Sequence, residues 1–158
     1  MRFLCHLLIL LTASLAGCVS YAPSLELLGQ TKAQVIQSMG PPSMERQLAN
    51  GSRLEYPRGP FGKSTYFVFM DAERKVTGWE NVIRQENFDK ITRGMTASDV
   101  EFLIGQSKSN FGVGQKSHRV WEYPYANSIC RVFQVEITPD GKVDSTGYGY
   151  APECGSSW

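Results

Sequence analysis

The sequence predicts an α+β fold of two tandem units, each a short helix followed by an antiparallel sheet. Two observations lead to this prediction. A capped-helix pattern that starts at Thr31 recurs at Thr96, sixty-five residues later. After each copy the chain turns to short segments in which apolar and polar residues alternate, as they do in half-buried strands. We therefore divide the chain into residues 25–84 and 85–158, preceded by an N-terminal leader.

Residues 1–17 have the properties of a secretory signal peptide. Arg2 supplies the positive charge, and the leucine-rich run after it is about a dozen residues long, which is too short to span a bilayer. The segment ends in Leu15-Ala16-Gly17-Cys18, which resembles a bacterial lipobox, whose cysteine is acylated before the preceding bond is cut. We expect lipid attachment at Cys18. The alternative is an ordinary signal peptide that carries a cysteine by chance.

Lipid on Cys18 would anchor the protein without a transmembrane helix, because two or three acyl chains bind a bilayer stably. No later apolar run reaches the roughly 18 residues that a membrane span needs. Val19 follows the cysteine, whereas the inner-membrane retention signal of enteric-type lipoproteins resembles an aspartate at that position. We expect a lipid-anchored protein on the periplasmic face of the outer membrane, with residues 18–24 as the tether.

The charge balance argues against nucleic-acid binding, and the cysteine content predicts a disulfide bond. Of the 16 lysines and arginines only Arg2 lies in the leader, which leaves 15 cations against 15 acids and argues against a nucleic-acid partner. Once Cys5 is removed and Cys18 is lipidated, Cys130 and Cys154 remain as a pair in an oxidising compartment. We predict a disulfide bond between them, with two buried free thiols as the alternative.

Each unit begins with a helix that is marked at both ends. Each copy has a threonine, a hydrogen-bonding side chain three residues on and a glycine nine residues on: Thr31, Gln34 and Gly40 in the first, Thr96, Asp99 and Gly105 in the second. The first two positions fit a capping box, which satisfies free backbone N–H groups at a helix start. The glycine suits a left-handed residue at the helix end. A further short helix is predicted over residues 87–92.

Strands are predicted after each helix from alternation and turn residues. The predicted strands cover residues 43–48, 52–56, 65–70 and 76–82 in the first unit, and 119–123, 131–138 and 142–148 in the second. Asn50-Gly51 and Asp140-Gly141 are typical hairpin turns. In the second unit, alternation places Phe133, Val135 and Ile137 on one face of the sheet.

Residues 88–105, Trp121-Glu122-Tyr123 and residues 133–143 resemble the SmpA/OmlA (BamE-like) outer-membrane lipoproteins, and residues 28–82 resemble a second, degenerate copy. The shared motifs are short and structural, so they imply the fold more firmly than the function. The chain departs from that family in having two units, and in having Gln106-Ser107 where a proline is usual nearby. The first unit also lacks the methionine before its threonine.

The resemblance to the SmpA/OmlA family, and a second one to an inhibitor protein, both imply protein binding without catalysis. The best-known SmpA/OmlA member is an accessory subunit of the machine that folds β-barrels into the outer membrane. The tandem arrangement is similar to the β-lactamase inhibitory protein, which binds an enzyme across its sheets. From these resemblances we expect a non-catalytic scaffold lipoprotein, accessory to outer-membrane protein assembly or envelope integrity, whose partner is another envelope protein or assembly complex. The alternatives are an inhibitor or ligand-binding lipoprotein and, more remotely, an envelope hydrolase.

The residue pattern offers no catalytic, cofactor or metal motif. Past the leader the chain has one histidine, His118, which we expect at a solvated strand edge, and it has no Cys-x-x-Cys or Gly-x-Ser-x-Gly motif. Glu55 and Glu122 recur at equivalent places, which suggests either a carboxylate pair of the glycosidase kind or symmetric strand positions in a duplicated fold. We favour symmetric strand positions, so no metal, cofactor or catalytic residue is predicted.

Two aromatic residues are candidate binding anchors. Phe61 and Phe111 lie among glycines and prolines in residues 57–62 and 110–114, and aromatic residues on exposed loops often contact partners. The alternative is that each phenylalanine folds back as a lid over the core of its own unit.

Overall fold

A computed structural model describes residues 21–59, 62–107, 109–113 and 117–151 of the chain. Cys18, Phe61 and Cys154 lie outside these ranges, so lipid attachment, the first candidate loop and the disulfide partner stay predictions. The described residues form two four-stranded antiparallel sheets, each with its strands in chain order. Within these ranges no helix has the length and apolarity needed to cross a membrane.

The helices and strands follow the same order in both units. The first unit has a 3₁₀ turn (Leu25–Leu27), α1 (Lys32–Met39), β1 (Met44–Leu48), β2 (Gly51–Arg58), β3 (Ser64–Met70) and β4 (Val76–Asn81). The second has α2 (Gln85–Phe88), α3 (Ala97–Ile104), β5 (Ser109–Val113), β6 (His118–Pro124), β7 (Arg131–Ile137) and β8 (Val143–Tyr150).

The predicted α+β class is wrong, because the protein is mainly β. Strand takes up 46% of the structure and helix only 19%. The reason lies in the spacing of the helix signals. The capping threonine and the terminating glycine are nine residues apart, so α1 and α3 have eight residues each, which is about two turns.

Both predicted capping boxes are present. The Thr31 backbone N–H donates to Gln34 Oε1 at 2.8 Å, and the Thr96 N–H donates to Asp99 Oδ2 at 2.9 Å. In return, each threonine Oγ1 accepts from the backbone N–H of the residue three positions on. The hydrogen bonds from Thr96 lower the pKa of the Asp99 carboxyl, so the second box is charge-assisted whereas the first is neutral.

Each helix ends at a glycine with positive φ. Gly40 has φ 79° and ψ −178°, and Gly105 has φ 80° and ψ −179°. The positive φ agrees with the prediction, but the extended ψ sends the chain straight towards the first strand rather than through a left-handed turn. A tyrosine on the second strand of each sheet fixes the end of the helix by a hydrogen bond. The Tyr56 and Tyr123 hydroxyls donate to the carbonyls of Gly40 and Gly105, both at 3.2 Å.

The chain before each capping threonine also pairs with its sheet in the same way twice. Gly29 N donates to Val76 O, and Gly94 N donates to Val143 O, both at 2.8 Å. Thr31 and Thr96 form isolated antiparallel bridges with Lys75 and Lys142, respectively. Each helix start is therefore attached to the last strand of its own sheet, and each helix end to the second strand.

The first hairpin turn lies one residue earlier than predicted. Leu48 pairs with Gly51, so Ala49 and Asn50 form the turn. Gly51 instead begins β2 with φ 127°, where a Cβ atom would lie 2.0 Å from the Met70 carbonyl oxygen. The glycine is therefore needed for the close approach of β2 to the end of β3, and not for the turn.

Two further boundaries differ from the prediction. Strand β5 was missed, because four of its five residues are exposed and it shows no apolar alternation. The helix predicted over residues 87–92 is instead α2, which begins at Gln85 and ends at Phe88. Phe88 stacks on Phe133 with ring centroids 4.3 Å apart, so tertiary packing fixes this short helix against β7.

Each helix packs on one face of its own sheet and forms a separate core. The buried residues of the first core are Leu27, Val35, Leu54, Tyr56, Val68, Met70 and Val76. Those of the second are Ile83, Phe88, Ile91, Val100, Ile104, Tyr123, Phe133, Val135, Ile137 and Val143. The predicted face of Phe133, Val135 and Ile137 is part of this core. The side chains on the opposite face of each sheet take no part in these two cores.

We expect Gly51→Ala to lower the free energy of unfolding by roughly 2 to 4 kcal/mol, because the new methyl group meets a backbone oxygen in a positive-φ residue. Gly78→Ala is the matched control, since a Cβ there meets nothing within 4 Å and φ is not positive. It should be neutral or slightly stabilising. Urea unfolding measures both, and equal losses would contradict this account.

Candidate functional site

The outer face of the first sheet is covered by helix α3 of the second unit. We define the first-sheet outer face by Arg46, Arg53, Glu55, Thr65 and Phe67, which point away from the core of the first unit. Helix α3 ends against it: a Cβ atom on Gly105 would lie 3.2 Å from Thr65 Cγ2 and 3.5 Å from Phe67 Cε1. This sheet face is therefore a helix-docking platform.

An arginine and glutamate cluster joins the two units at this platform. The Arg46 guanidinium donates to Glu55 Oε1 at 2.9 Å and to Glu101 Oε2 of α3 at 3.1 Å. Arg53 donates to the same Glu55 oxygen at 3.0 Å. The side chains of Arg53 and Glu55 are 4% and 2% exposed, so each buried charge is compensated by the other.

Aromatic rings complete the contact. The Arg53 guanidinium carbon lies 3.8 Å from the centroid of Phe67 and 4.4 Å from that of Phe102 on α3, between two cation–π partners. Burial lowers the pKa of Arg53, and the nearby Glu55 carboxylate opposes that shift. The guanidinium therefore connects the first sheet to the helix of the second unit by both charge and ring contacts.

The second sheet has an equivalent outer face with different chemistry. Ser109 pairs with Glu122 in the second sheet, just as Met44 pairs with Glu55 in the first. These matching pairs allow each residue of one sheet to be aligned with its equivalent in the other. The second-sheet outer face is therefore Phe111, Val120, Glu122, Val132 and Gln134, in the places of Arg46, Arg53, Glu55, Thr65 and Phe67. Both arginines are replaced by apolar residues. Val120, Glu122 and Val132 on this face are buried, at 9%, 7% and 1% exposed, so Phe111 on the edge strand β5 is its exposed residue.

Glu122 is buried, and the partners that the described residues give it are neutral. The residue is 7% exposed, and its carboxylate accepts hydrogen bonds from Ser109 Oγ at 3.1 Å and Gln134 Nε2 at 2.9 Å. Within residues 21–59, 62–107, 109–113 and 117–151 it makes no ion pair. The Gln134 side chain also lies across Gly149, where an added Cβ would come within 2.5 Å of Nε2. Glu122 is therefore hydrogen bonded by two neutral side chains, whereas Glu55 is hydrogen bonded by two arginines.

Of the two predicted binding anchors, Phe111 lies within the described residues and Phe61 does not. It lies on the edge strand β5 rather than in a loop, and it is 42% exposed on the second-sheet outer face. Phe111 belongs to neither core cluster of the described residues. The sequence missed the strand because its glycines and polar residues are typical of a loop, whereas pairing with β6 determines its conformation.

His118 is the first residue of β6, where it pairs with Val113 of β5, but it is not solvated as the sequence suggested. Its side chain is 13% exposed, and Nδ1 lies 2.7 Å from Glu136 Oε1. With Asp144, these residues place three potential metal-binding atoms within 4.8 Å of one another. Arg93 and Ser145 already hydrogen bond to the two carboxylates, so ordinary hydrogen bonds and ion pairs account for the arrangement.

Glu55 and Glu122 occupy equivalent strand positions in two different sheets. Each has its own partners, Arg46 and Arg53 for the first glutamate and Ser109 and Gln134 for the second. A cavity of about 20 Å³ beside Glu122 has no second carboxylate among its described lining residues. Each glutamate is therefore held by the side chains of its own sheet.

Cys130 is disulfide-bonded, and its partner lies outside the described residues. The residue has φ 53° and directly precedes β7, and its carbonyl accepts from Ala151 N at 2.8 Å. The end of β8 is therefore beside Cys130. The pairing with Cys154 stays a prediction.

No protein-family model and no curated protein matches the chain. Among solved structures it is similar to a DUF4309 family protein (YjgB) from Bacillus subtilis subsp. subtilis str. 168, at 15% identity and a TM-score of 0.32, over 84% of this chain and 86% of that one. It is also similar to a candidate beta-lactamase inhibitor protein from Streptococcus mutans, at 14% identity and a TM-score of 0.34, over 77% and 83%.

A third similar structure is an extracellular protein containing a SCP domain from Bacillus anthracis str. Ames, at 14% identity and a TM-score of 0.34, over 90% of this chain and 50% of that one. The structural neighbours thus include an inhibitor-type protein, whereas no match supports the SmpA/OmlA resemblance. At these TM-scores the likenesses carry no conclusion about function.

The two helix-terminating glycines form a matched pair for measuring the contact between the units. Gly40→Ala should cost roughly 1 to 3 kcal/mol from backbone strain alone, since nothing lies within 4 Å of the new atom. Gly105→Ala has the same strain and also presses on Thr65, so we expect about 1 kcal/mol more. Urea unfolding of both variants tests this, and a loss at Gly105 no larger than at Gly40 would contradict the docking of α3.

For the disulfide, alkylation of the folded protein without reductant should leave Cys130 and Cys154 unmodified in the mass spectrum. Cys130→Ala should lower the free energy of unfolding by about 3 to 4 kcal/mol, because the bond closes a loop of about 25 residues. Reduction of the wild type is the control and should give a similar loss. A free thiol at Cys154 in the unreduced protein would refute the pairing.

Proposed function

We propose that the protein is a membrane-tethered, non-catalytic binding subunit, held on the outer membrane by lipid on Cys18 and accessory to envelope assembly or integrity. Its partner binds at the exposed β5 edge of the second-sheet outer face, where Phe111 lies. The observation that carries the proposal is the duplication: the equivalent face of the first sheet binds a helix, and the second-sheet outer face presents Phe111 with no described helix on it.

The chemistry of the second-sheet outer face suits protein binding. Phe111 and Val120 lie side by side on neighbouring strands, and partly exposed aromatic residues are frequent anchors of interfaces. Glu122 beside them is already buried and has hydrogen-bond donors in Ser109 and Gln134, so a partner that covers Phe111 leaves no carboxylate unsatisfied. This combination favours a packed protein segment over a small charged ligand.

The tether restricts where the partner can be. Residues 19–24 separate Cys18 from the first 3₁₀ turn at Leu25, and six extended residues reach about 20 Å. The folded units would therefore stay close to the membrane surface. A partner at the same surface is within reach, whereas a target deep in the periplasm is not, which favours a scaffold over a diffusing inhibitor.

The proposal is tested in cells that lack the gene and are complemented with variants. Cys18→Ala and Phe111→Arg should both fail to restore barrel-protein levels and detergent resistance, the first because the tether is lost and the second because a charge enters the apolar face. Ile129→Arg is the matched control, since it adds the same charge at an exposed residue outside that face. Full complementation by Cys18→Ala would make tethering irrelevant and favour a diffusible inhibitor or ligand-binding role.

A further inference from the structure

Resting on the lipid anchor of the proposed function, we propose that the exposed face of the first 3₁₀ turn is a second membrane contact. Leu25 and Leu28 enter the boundary between headgroups and acyl chains of the same bilayer that holds the lipid on Cys18. The lipid and the turn together would then fix the orientation of the folded units on the membrane. The partner of this face is a phospholipid surface rather than a protein.

The first 3₁₀ turn presents two large apolar side chains to solvent. Leu25 is 78% exposed and Leu28 is 50% exposed, whereas Leu27 is 3% exposed and belongs to the first core. A 3₁₀ helix has three residues per turn, so side chains three positions apart lie on the same side. Leu25 and Leu28 therefore form one apolar face, and the exposed Glu26 lies on another side of the turn.

Backbone hydrogen bonds hold this face in place. Leu28 N donates to Leu25 O at 3.2 Å, and Gly29 N donates to Val76 O of β4 at 2.8 Å. Leu27 packs in the core between these bonds. The two exposed leucines are thus presented by an ordered turn that is attached to the first sheet, so a membrane can bind them without first ordering the chain.

The second unit shows that the fold does not require leucine at these positions. The start of α3 pairs with β8 as the start of α1 pairs with β4, so Leu28 corresponds to Arg93, whose side chain is 80% exposed. Counting back by the same sixty-five residues, Leu25 corresponds to Lys90, which is also exposed. The fold therefore accepts a cation at both positions. The leucines occur in the unit that follows Cys18, where an apolar surface is at hand.

The short tether brings this face to the bilayer. Tyr21, the first described residue, is three residues from Cys18, which is at most about 10 Å of extended chain. Its side chain is 51% exposed, and tyrosine is enriched at membrane–water interfaces. Leu25 follows four residues later. The bilayer is therefore the apolar surface that lies within constant reach of the turn.

Two leucines add to the lipid anchor without replacing it. Each methylene group buried in a bilayer changes the partition coefficient roughly fourfold, so two side chains alone bind weakly. A tether as short as this one raises the effective concentration of the second contact, so weak binding suffices. The leucines therefore orient the protein on the membrane, and the lipid keeps it there.

Photoreactive benzoylphenylalanine at positions 25 and 28 of the lipidated protein identifies the occupant in intact membranes. We expect phospholipid adducts in mass spectra of the purified protein. Position 26 is the matched control, because it has the same tether but faces another side of the turn, and it should give at least about fivefold less phospholipid adduct. Equal phospholipid adducts at positions 25 and 26 would overturn the proposal, as would adducts with proteins only or no adduct at all.

Vesicle binding without the lipid measures the same contact. The mature chain with Cys18→Ala is mixed with vesicles of phosphatidylethanolamine and phosphatidylglycerol, and its partition coefficient is measured by flotation. Adding Leu25→Ala or Leu28→Ala should lower this coefficient at least about tenfold each, since each removes three carbon atoms from the interface. Ile129→Ala is the control, because it shortens an exposed apolar side chain of the second unit, and it should leave the coefficient unchanged.

Urea unfolding should give the same stability for these variants, because the substituted side chains are exposed. Absence of vesicle binding by the Cys18→Ala chain would overturn the proposal, and so would undiminished binding of the leucine variants. If vesicles are not bound while Phe111→Arg still abolishes envelope function, this inference fails and the proposed function survives. If Cys18→Ala restores envelope function while the leucine variants lose vesicle binding, the proposed function fails and the membrane contact stands.

Discussion

Each unit depends on one constraint, a helix of two turns that is hydrogen bonded at both ends to a single sheet. The start is attached through the bridge of Thr31 to Lys75, and the end through the hydroxyl of Tyr56 on the carbonyl of Gly40. So short a helix is unstable alone and gains its stability from packing. Because the helix packs on one face of its sheet, a neighbour can contact the other face, as α3 does on the first sheet. That division of faces makes tandem docking possible.

The duplication kept the backbone and changed the chemistry of the outer faces. Tyrosine, glycine and threonine recur wherever a helix meets its own sheet, since those contacts are made inside each unit. The outer-face residues differ because their neighbours differ. Arg53 lies between two rings under α3, whereas Val120 in the same place has no described helix above it. Polarity on these faces therefore follows the docking partner and not the unit itself.

The sequence predicted well what depends on local chemistry. Threonine caps, helix-ending glycines and the alternation of Phe133, Val135 and Ile137 each act through near neighbours, and the structure has them in the expected places. The sequence did not predict features whose conformation depends on residues far apart in the chain. Strand β5 exists through pairing with β6, Gly51 is required by the Met70 carbonyl, and the Arg46 to Glu101 ion pair joins residues fifty-five positions apart. The fold class was misjudged because two clear helix signals mark only sixteen helical residues.

Helix α3 belongs to two packing layers at once. Val100 and Ile104 face the second core, while Glu101, Phe102 and Gly105 contact the first sheet. If either sheet unfolded, α3 would lose its packing on one side. Unfolding of the second unit would also remove the helix that covers the buried Arg53 and Glu55 side chains. The thermodynamic consequence is cooperativity. Although the chain is built from two copies, it should melt in one transition, with α3 as the element that couples the halves.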